Sequence, residues 1–188
     1  MRALGERNEK EMSSINLQPI LKGSTINLRP LDRGDFEALY QAASDPKIWE
    51  LHPDSERYKR EIFLSRFFES ALASGGALAI EENDTGRIIG SSRYYEWKPD
   101  TKEVSIGYTF IEREHWGAGT NRELKDLMLK HIYQWASVVW FHVGKTNLRS
   151  RRSVEKLGAI LSHEKERELD GKPFTQIYYK LEASEYHA

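Results

Sequence analysis

The stretch HWGAGTNRELK, residues 115–125, places Gly117 and Gly119 directly before a segment with helical spacing of apolar residues. The first turn of a helix has backbone N–H groups without intrahelical partners, and the helix dipole is positive there. Glycines in front of such a turn let an anion come close to these N–H groups. The stretch therefore predicts an anion site, for which phosphate is the natural ligand, and a plain sharp turn is the alternative.

Two well-known phosphate loops do not match this stretch. The pattern GxxxxGK[ST] is absent from the chain, so the stretch is not a P-loop. The pattern GxGxxG fails because Arg122 stands at its third glycine position, which argues against a Rossmann dinucleotide site.

A second polar stretch, TNLRSRRSVEKLGA at residues 146–159, also follows a predicted strand and opens a helix. Asn147 offers both a donor and an acceptor at the strand exit, and Ser150 stands at the helix start. Arginines often bind phosphate groups, and three of them make the stretch basic: Arg149, Arg151 and Arg152. The alternative is ordinary, with Asn147 as a helix cap and the arginines as a solvated face.

The elements that must position these residues follow from hydrophobic periodicity and turn signals. Alternating or β-branched runs predict strands at 25–31, 77–82, 87–97, 103–111, 138–144, 159–169 and 174–183. Residues 138–144 are predicted to be buried on both faces. Helical spacing predicts helices after Asp32 and over 55–73, 121–136 and 147–158. The order β-α-α-β-β-β-α-β-α-β-β predicts an α/β fold with a mixed sheet and helices on both faces.

Composition sets the remaining limits. The 188 residues are 39% hydrophobic and 30% charged, which predicts one globular domain over 19–188 behind a polar, disordered extension at 1–18. The net charge of −1 argues against a general nucleic-acid binder. No cysteine is present, which excludes thiolate chemistry and favours a cytoplasmic setting. The chain lacks a membrane-length apolar run, a secretory signal and the HExxH pattern, so we expect no membrane segment and no metal.

Taken together, the motifs resemble those of the GNAT superfamily of acyl-CoA N-acyltransferases, most closely its RimJ/RimL-type branch. The stretch EHWGAG stands at the family's R/Q-x-x-G-x-G/A signature, and NLRPLDRGDFEALYQAASDP matches its first strand and helix. The strand EVSIGYTF matches the family's fourth strand. The family's N-x-x-S, E-K-x-G motif is found here as Asn147, Ser150, Glu155, Lys156, Gly158 and Ala159. The resemblance covers roughly residues 24–180.

This resemblance implies the GNAT fold, with acetyl-CoA wedged where the fourth and fifth strands splay apart. It also implies transfer of the acetyl group to a primary amine, either a protein N-terminus or a small molecule. The implied cofactor-binding residues are Phe110, Ile111, Trp116, Gly117, Ala118, Gly119, Thr120, Asn121, Asn147, Ser150 and Arg152.

Three positions depart from the family pattern. Glu114 stands at the first signature position, so only backbone contributions to diphosphate binding are expected there. Val154 replaces the tyrosine that protonates the leaving thiolate in many members, and Ser105 stands where the branch often has glutamate.

The reaction itself indicates which further side chains to seek. An amine that attacks a thioester must first lose a proton, so a base or a water chain is needed. Glu103 and Ser105 share a strand face: Glu103 could act as a base, directly or through water, and Ser105 could relay a proton. With Asn147 beside the acyl group, these are the predicted catalytic residues, although Glu103 could simply be a solvated residue near a strand end.

The acceptor cleft is predicted from aromatic residues. Some of Tyr94, Tyr95, Trp97, Tyr108 and Trp116 should line it, and the loop 45–57 with Trp49 and His52 should form its other wall. The expected partners are acetyl-CoA and an amine, in a monomer or homodimer. The main alternative is an acyl-CoA-binding sensor that uses the same fold without transferring the acyl group.

Overall fold

The computed structural model describes residues 15–187. Its eight strands are β1 (Leu21–Lys22), β2 (Ile26–Pro30), β3 (Ala77–Glu82), β4 (Ile88–Lys98), β5 (Glu103–Ile111), β6 (Val138–Gly144), β7 (Ile160–Leu169) and β8 (Lys172–Glu182). Its α-helices are α1 (Phe36–Ala43), α2 (Pro46–Trp49), α3 (Arg60–Ile62), α4 (Glu69–Ala73), α5 (Thr120–Ile132) and α6 (Leu148–Glu155). A π-helical turn, Phe63–Phe68, joins α3 to α4.

All eight strands form one sheet in the order β1-β2-β3-β4-β5-β6-β8-β7. Only β5 and β6 pair in parallel, and their pairing stops at Ser105 opposite Trp140. Both strands continue well beyond that pair, so a gap opens between them; we call this gap the β5–β6 opening. The mixed sheet and its splay between the fourth and fifth predicted strands, here β5 and β6, are confirmed.

Helices cover the sheet on two sides and define two hydrophobic cores. On one side α5 buries Leu124, Met128 and Ile132 against the strands, in the larger core. On the other side the segment 36–73 packs aromatic residues, with Phe63 and Phe67 near Phe110 of β5. This second layer lies over the β2–β5 half of the sheet.

Two predicted helices differ in detail, the predicted loop 45–57 contains the helix α2, and one strand was not predicted. The helix predicted over 121–136 ends at Ile132, where the following residues form a hydrogen-bonded turn that leads into β6. The helix predicted over 55–73 begins with a separate 3-10 turn at Ser55–Tyr58 and contains the π-helical turn. A short strand, β1, precedes the first predicted strand.

The prediction that residues 138–144 are buried on both faces is wrong. In β6 the side chains of Val139, Phe141 and Val143 are buried under α5 and α6, whereas Trp140 and His142 are only half-buried. On the second face the 36–73 layer reaches this half of the sheet only at its margin, where Pro53 lies beside Gly144 and Arg66 pairs with Asp170, and it leaves Trp140 and His142 half-buried. This face borders the β5–β6 opening.

The predicted extension 1–18 lies largely outside the described residues, which begin at Ile15. Ile15 and Leu17 pack partly buried against the larger core. Within residues 15–187, no helix has both the length and the apolar character needed to cross a membrane.

Candidate active site

The loop between β5 and α5, residues 116–120, has a backbone that an anion can approach; we call it the glycine loop. Gly117 and Gly119 have φ values of 78° and 88°, in the left-handed region that favours glycine. A Cβ added to either glycine would meet nothing within 4 Å, so the loop faces open space. Within the described chain, the N–H groups of residues 117–120 have no hydrogen-bond acceptor. Gly119 is the N-cap of α5, so these donors lie at the positive end of the helix dipole.

The aromatic residue of the glycine loop connects it to α6. The Trp116 indole Nε1 donates to the carbonyl of Ile111 at 3.0 Å. The Arg149 guanidinium lies over the Trp116 ring, 3.8 Å from its centroid, and pairs with Glu50 at 3.2 Å. The loop, the start of α6 and the segment after α2 therefore meet at the wide end of the opening.

The α6 stretch is partly structural. The Asn147 side-chain oxygen accepts from the Ser150 N–H at 3.2 Å and so caps α6. Asn121 donates to the Ser153 hydroxyl at 2.5 Å, which joins the start of α5 to the second half of α6.

The three arginines of α6 have different environments. Arg151 donates to Tyr179 and to the Lys145 carbonyl, whereas Arg149 is engaged with Trp116 and Glu50. Arg152 is exposed and has no side-chain partner among the residues described. A continuous basic patch is therefore not formed, and Arg152 is the arginine left available to an anion.

The edge of β5 that faces the opening carries backbone groups that have no neighbouring strand in the described part of the chain. Phe110 and Ile111 pair with Ser91 and Gly90 of β4 on one side, but β6 has already diverged on the other. A β-bulge interrupts β5 at Tyr108, which has a φ of 52°. The bulge leaves an irregular edge that can accept a chain-like ligand.

The predicted catalytic carboxylate lies away from the wide end. Glu103 is half-buried at the start of β5, and the Lys98 ammonium lies 3.4 Å from its carboxylate. Ser105 is buried, and its hydroxyl donates to the Glu96 carboxylate at 3.4 Å. The register confirms that Glu103 and Ser105 share a face, and Ser105 stands at the point where the opening begins. Their catalytic roles stay predictions.

A buried amine, missed in the sequence, lies beneath β4 and β5. The Lys125 side chain is 4% exposed, and its Nζ donates to the Thr109 hydroxyl at 2.7 Å. No carboxylate pairs with it among residues 15–187. Burial lowers the pKa of Lys125 from 10.5 to about 7.

A polar pair, also missed, lies on the opposite face of the sheet. The Tyr95 hydroxyl of β4 is 3.0 Å from Nδ1 of His142 on β6, so the pair spans the start of the opening. The Tyr108 ring meets Tyr95 edge to face, and the Arg93 guanidinium lies 4.0 Å from the centroid of Tyr108. No sequence pattern links residues 47 positions apart on strands that do not pair with each other.

The predicted second wall contains both aromatic and charged groups. Trp49 is buried against Phe110, and His52 and Asp54 lie beside the guanidinium of Arg57. Burial, together with Arg57, lowers the pKa of His52 to about 3, so its imidazole is neutral. A cleft of about 470 Å³ lies between this segment and the β7–β8 turn, where Arg66 pairs with Asp170.

One group of side chains in the described chain has a metal-ligand arrangement. Ligand atoms of Glu112, Glu114 and His115 lie within 4.8 Å of one another. The Arg87 guanidinium already forms ion pairs with both carboxylates, so this cationic side chain balances their negative charge. The group lies beside the glycine loop, and Glu114 points to Arg87 rather than to the loop amides.

The comparisons with known proteins agree with this geometry. The family model described as "Acetyltransferase (GNAT) domain" matches residues 25–160. The chain therefore belongs to the GNAT acetyltransferase family, and it is an N-acetyltransferase, a class of enzyme that uses acetyl-CoA. A search among curated proteins found no match to the sequence.

Solved structures share the fold. A GCN5-related N-acetyltransferase from Brucella melitensis has a TM-score of 0.76 at 16% identity, over 89% of this chain and 80% of that chain. A GNAT-family acetyltransferase from Bacillus anthracis has a TM-score of 0.69 at 15% identity, over 89% and 100%. The microcin C7 self-immunity acetyltransferase MccE, in complex with acetyl-CoA and AMP, has a TM-score of 0.72 at 16% identity, over 90% and 99%.

Proposed function

We propose that the protein transfers the acetyl group of acetyl-CoA to a primary amine by direct attack within a ternary complex. The observation that carries this proposal is the glycine loop, whose N–H groups at residues 117–120 have no acceptor within the described chain and lie at a helix N-terminus. These donors match the oxygens of a diphosphate. Among residues 15–187, the exposed Arg152 on α6 has no side-chain partner, and the β5 edge from the glycine loop to the start of the opening has no strand partner.

In this proposal the two ends of acetyl-CoA meet different parts of the site. The diphosphate binds residues 116–120, and backbone groups near Phe110 and Ile111 hold the pantetheine arm. The acetyl end then reaches the start of the opening, near Ser105. The amine acceptor enters from the face on which Tyr108 and the segment 45–57 lie.

The test measures thiol release from acetyl-CoA with a panel of primary amines: peptides with free N-termini, polyamines and amino sugars. Release that depends on an added amine, with the acetylated product found by mass spectrometry, supports the proposal. Calorimetry with acetyl-CoA alone measures binding independently of turnover.

A binding-only sensor is the alternative, and one observation favours it. Val154 is buried in the core at the position where many family members carry the thiolate-protonating tyrosine. A sensor would show heat of binding and a thermal shift with acetyl-CoA, but no thiol release with any amine of the panel.

Two finer assignments rest on the sequence. The motifs of the glycine loop and α6 favour the RimJ/RimL-type branch, for which protein N-termini are among the expected acceptors. The cysteine-free composition suits a reducing cytoplasm. Peptides in the amine panel test the first assignment, and the mass of the native protein in solution distinguishes monomer from homodimer.

A further inference from the structure

The β5–β6 opening begins at a polar pair that lies where the acetyl end of the cosubstrate must reach. Ser105 and Trp140 form the last paired position, so Gly107 and His142, two residues further along, face each other across the start of the gap. The glycine loop lies at the opposite, wide end of β5. A ligand whose diphosphate is held at the loop therefore brings its other end toward Gly107 and His142.

Glycine at position 107 allows a tyrosine to cross this gap. A Cβ on Gly107 would lie 3.0 Å from the Tyr95 ring and 3.2 Å from its hydroxyl oxygen, so the ring occupies the space that a side chain would fill. The phenol thereby reaches from β4 over β5 to Nδ1 of His142 at 3.0 Å. We call Tyr95 and His142 the relay pair.

The surroundings of His142 favour its neutral form. Burial lowers the pKa of His142 to about 4, helped by positive charge from Arg167, His163, Lys165 and Lys98. The Tyr178 ring lies 4.3 Å from the imidazole on the β8 side. Burial also raises the pKa of Tyr95, so its hydroxyl keeps its proton. At neutral pH both members are uncharged, and each can give one proton while it takes another.

We propose, on the basis of the function proposed above, that Tyr95 and His142 carry the proton of the acceptor amine to the departing thiolate. The amine nitrogen forms a bond to the acetyl carbonyl carbon, and the carbon–sulfur bond then breaks. The amine proton passes to His142 Nε2, the His142 Nδ1 proton passes to the Tyr95 oxygen, and the Tyr95 hydroxyl proton passes to sulfur. One proton moves from nitrogen to sulfur, so atoms and charges balance.

The relay supplies a proton donor for the leaving thiolate, which α6 does not provide. Val154 cannot protonate sulfur, and Glu103, two residues before the last paired position of β5, is engaged with Lys98. The relay also needs no strongly basic histidine, since an imidazolium does not accumulate when the second proton leaves as the first arrives. After the transfer the neutral His142 ring carries its proton on Nε2 instead of Nδ1. Proton exchange with water then restores the first tautomer.

The experiment compares the wild type with Tyr95→Phe, His142→Gln and the double variant, using acetyl-CoA and the amine identified by the panel. Tyr178→Phe is the matched control, because it removes a hydroxyl from the same aromatic cluster that bonds Gln176 and Arg167 instead. We expect each relay variant to lower kcat by about 10²–10⁴-fold. The acetyl-CoA affinity and the unfolding midpoint should stay near wild-type values, and Tyr178→Phe should keep its kcat.

Two readouts distinguish a relay from a structural role. The double variant should be no slower than the slower single variant, because both residues act in one path. Nitrogen NMR of the His142 ring should show a neutral imidazole at pH 6, with an Nδ1 signal that shifts in Tyr95→Phe.

Each remaining outcome counts against a specific claim. A wild-type enzyme that acetylates an amine while Tyr95→Phe retains full kcat overturns the relay alone. A wild type that releases no thiol with any amine overturns the proposed function, and the relay with it.

Discussion

At the scale of single residues, Gly119 combines a turn requirement with an open approach to the backbone. Gly119→Ala should weaken acetyl-CoA binding about tenfold or more, that is by at least ~1.4 kcal/mol, because the new methyl group stands in front of the loop amides. The left-handed backbone should also cost about 1–2 kcal/mol of folding stability. Calorimetry with acetyl-CoA and thermal unfolding measure the two effects.

Gly171 provides a matched control for this substitution. It also has a positive φ, 73°, with nothing within 4 Å of an added Cβ, but it lies in the β7–β8 turn. Gly171→Ala should therefore carry a similar stability cost and leave acetyl-CoA binding unchanged. Equal loss of affinity in both variants would mean that general destabilisation, not blocked access, explains the first result.

The buried Lys125 should make the free energy of unfolding depend on pH. Its pKa is about 7 in the folded protein and near 10.5 in the unfolded chain, so the unfolded state binds more protons between these values. The free energy of unfolding should therefore rise with pH by up to about 1.4 kcal/mol per unit across this window. The full stabilisation is present above the unfolded pKa and is lost as the pH falls toward 7.

Lys125→Met should remove this dependence and raise stability at pH 7, because the buried amine no longer has to give up its proton or its hydration. Denaturant unfolding at several pH values between 7 and 9 measures the slope. Lys130→Met removes an exposed amine from the same helix and is the control. If both variants keep the wild-type slope, another group causes it.

At the scale of elements, α6 depends on its N-cap. Asn147→Ala should lower the free energy of unfolding by about 1 kcal/mol, because the Ser150 N–H loses its acceptor. Asn147→Ser keeps an oxygen acceptor and should keep most of that stability, yet it removes the amide Nδ2. Thermal unfolding measures the first effect, and kcat of Asn147→Ser measures the second. Full activity in the serine variant would mean that Asn147 acts only as the N-cap of α6 and has no role in the reaction.

Local patterns in the chain were sufficient for most of the fold. The order of strands and helices and the glycine loop follow from periodicity, turn residues and the two small positions at 117 and 119. The position of the splay was implied by resemblance to the family. The predicted end of the 121–136 helix lies beyond the observed end at Ile132, because the turn after Ile132 still makes helix-like hydrogen bonds.

The functional pairs were not predictable in the same way. A lysine within a helical pattern indicates an exposed position, and only the contact of Lys125 with Thr109 on β5 shows that it is buried. The bulge at Tyr108 interrupts the alternation of side chains along β5. Counting residues along the strand therefore assigns side chains beyond the bulge to the wrong face of the sheet. Tyr95 meets His142 only because β5 between them has a glycine.

At the scale of the whole molecule, the β5–β6 opening divides the sheet into halves that meet through few paired residues. Among the residues that the structure describes, parallel pairing joins them only from Glu103 to Ser105, and beyond that point the facing edges of β5 and β6 lack strand partners. Side-chain contacts bridge the halves elsewhere, at Tyr95–His142 and Glu50–Arg149. A ligand in the opening would supply the missing contacts between the two edges.

Hydrogen exchange can therefore locate the cosubstrate without any acceptor. Acetyl-CoA should slow exchange at residues 107–111 and 117–120 together, because one molecule spans the strand edge and the glycine loop. The amides of β3 should be unaffected, since both edges of that strand are already paired with β2 and β4. In Gly119→Ala the protection should fall at both segments in parallel, as the diphosphate anchors the whole ligand. Protection confined to the loop, with residues 107–111 unchanged, would place the acyl end outside the opening and remove the geometric basis for a reaction beside Gly107 and His142.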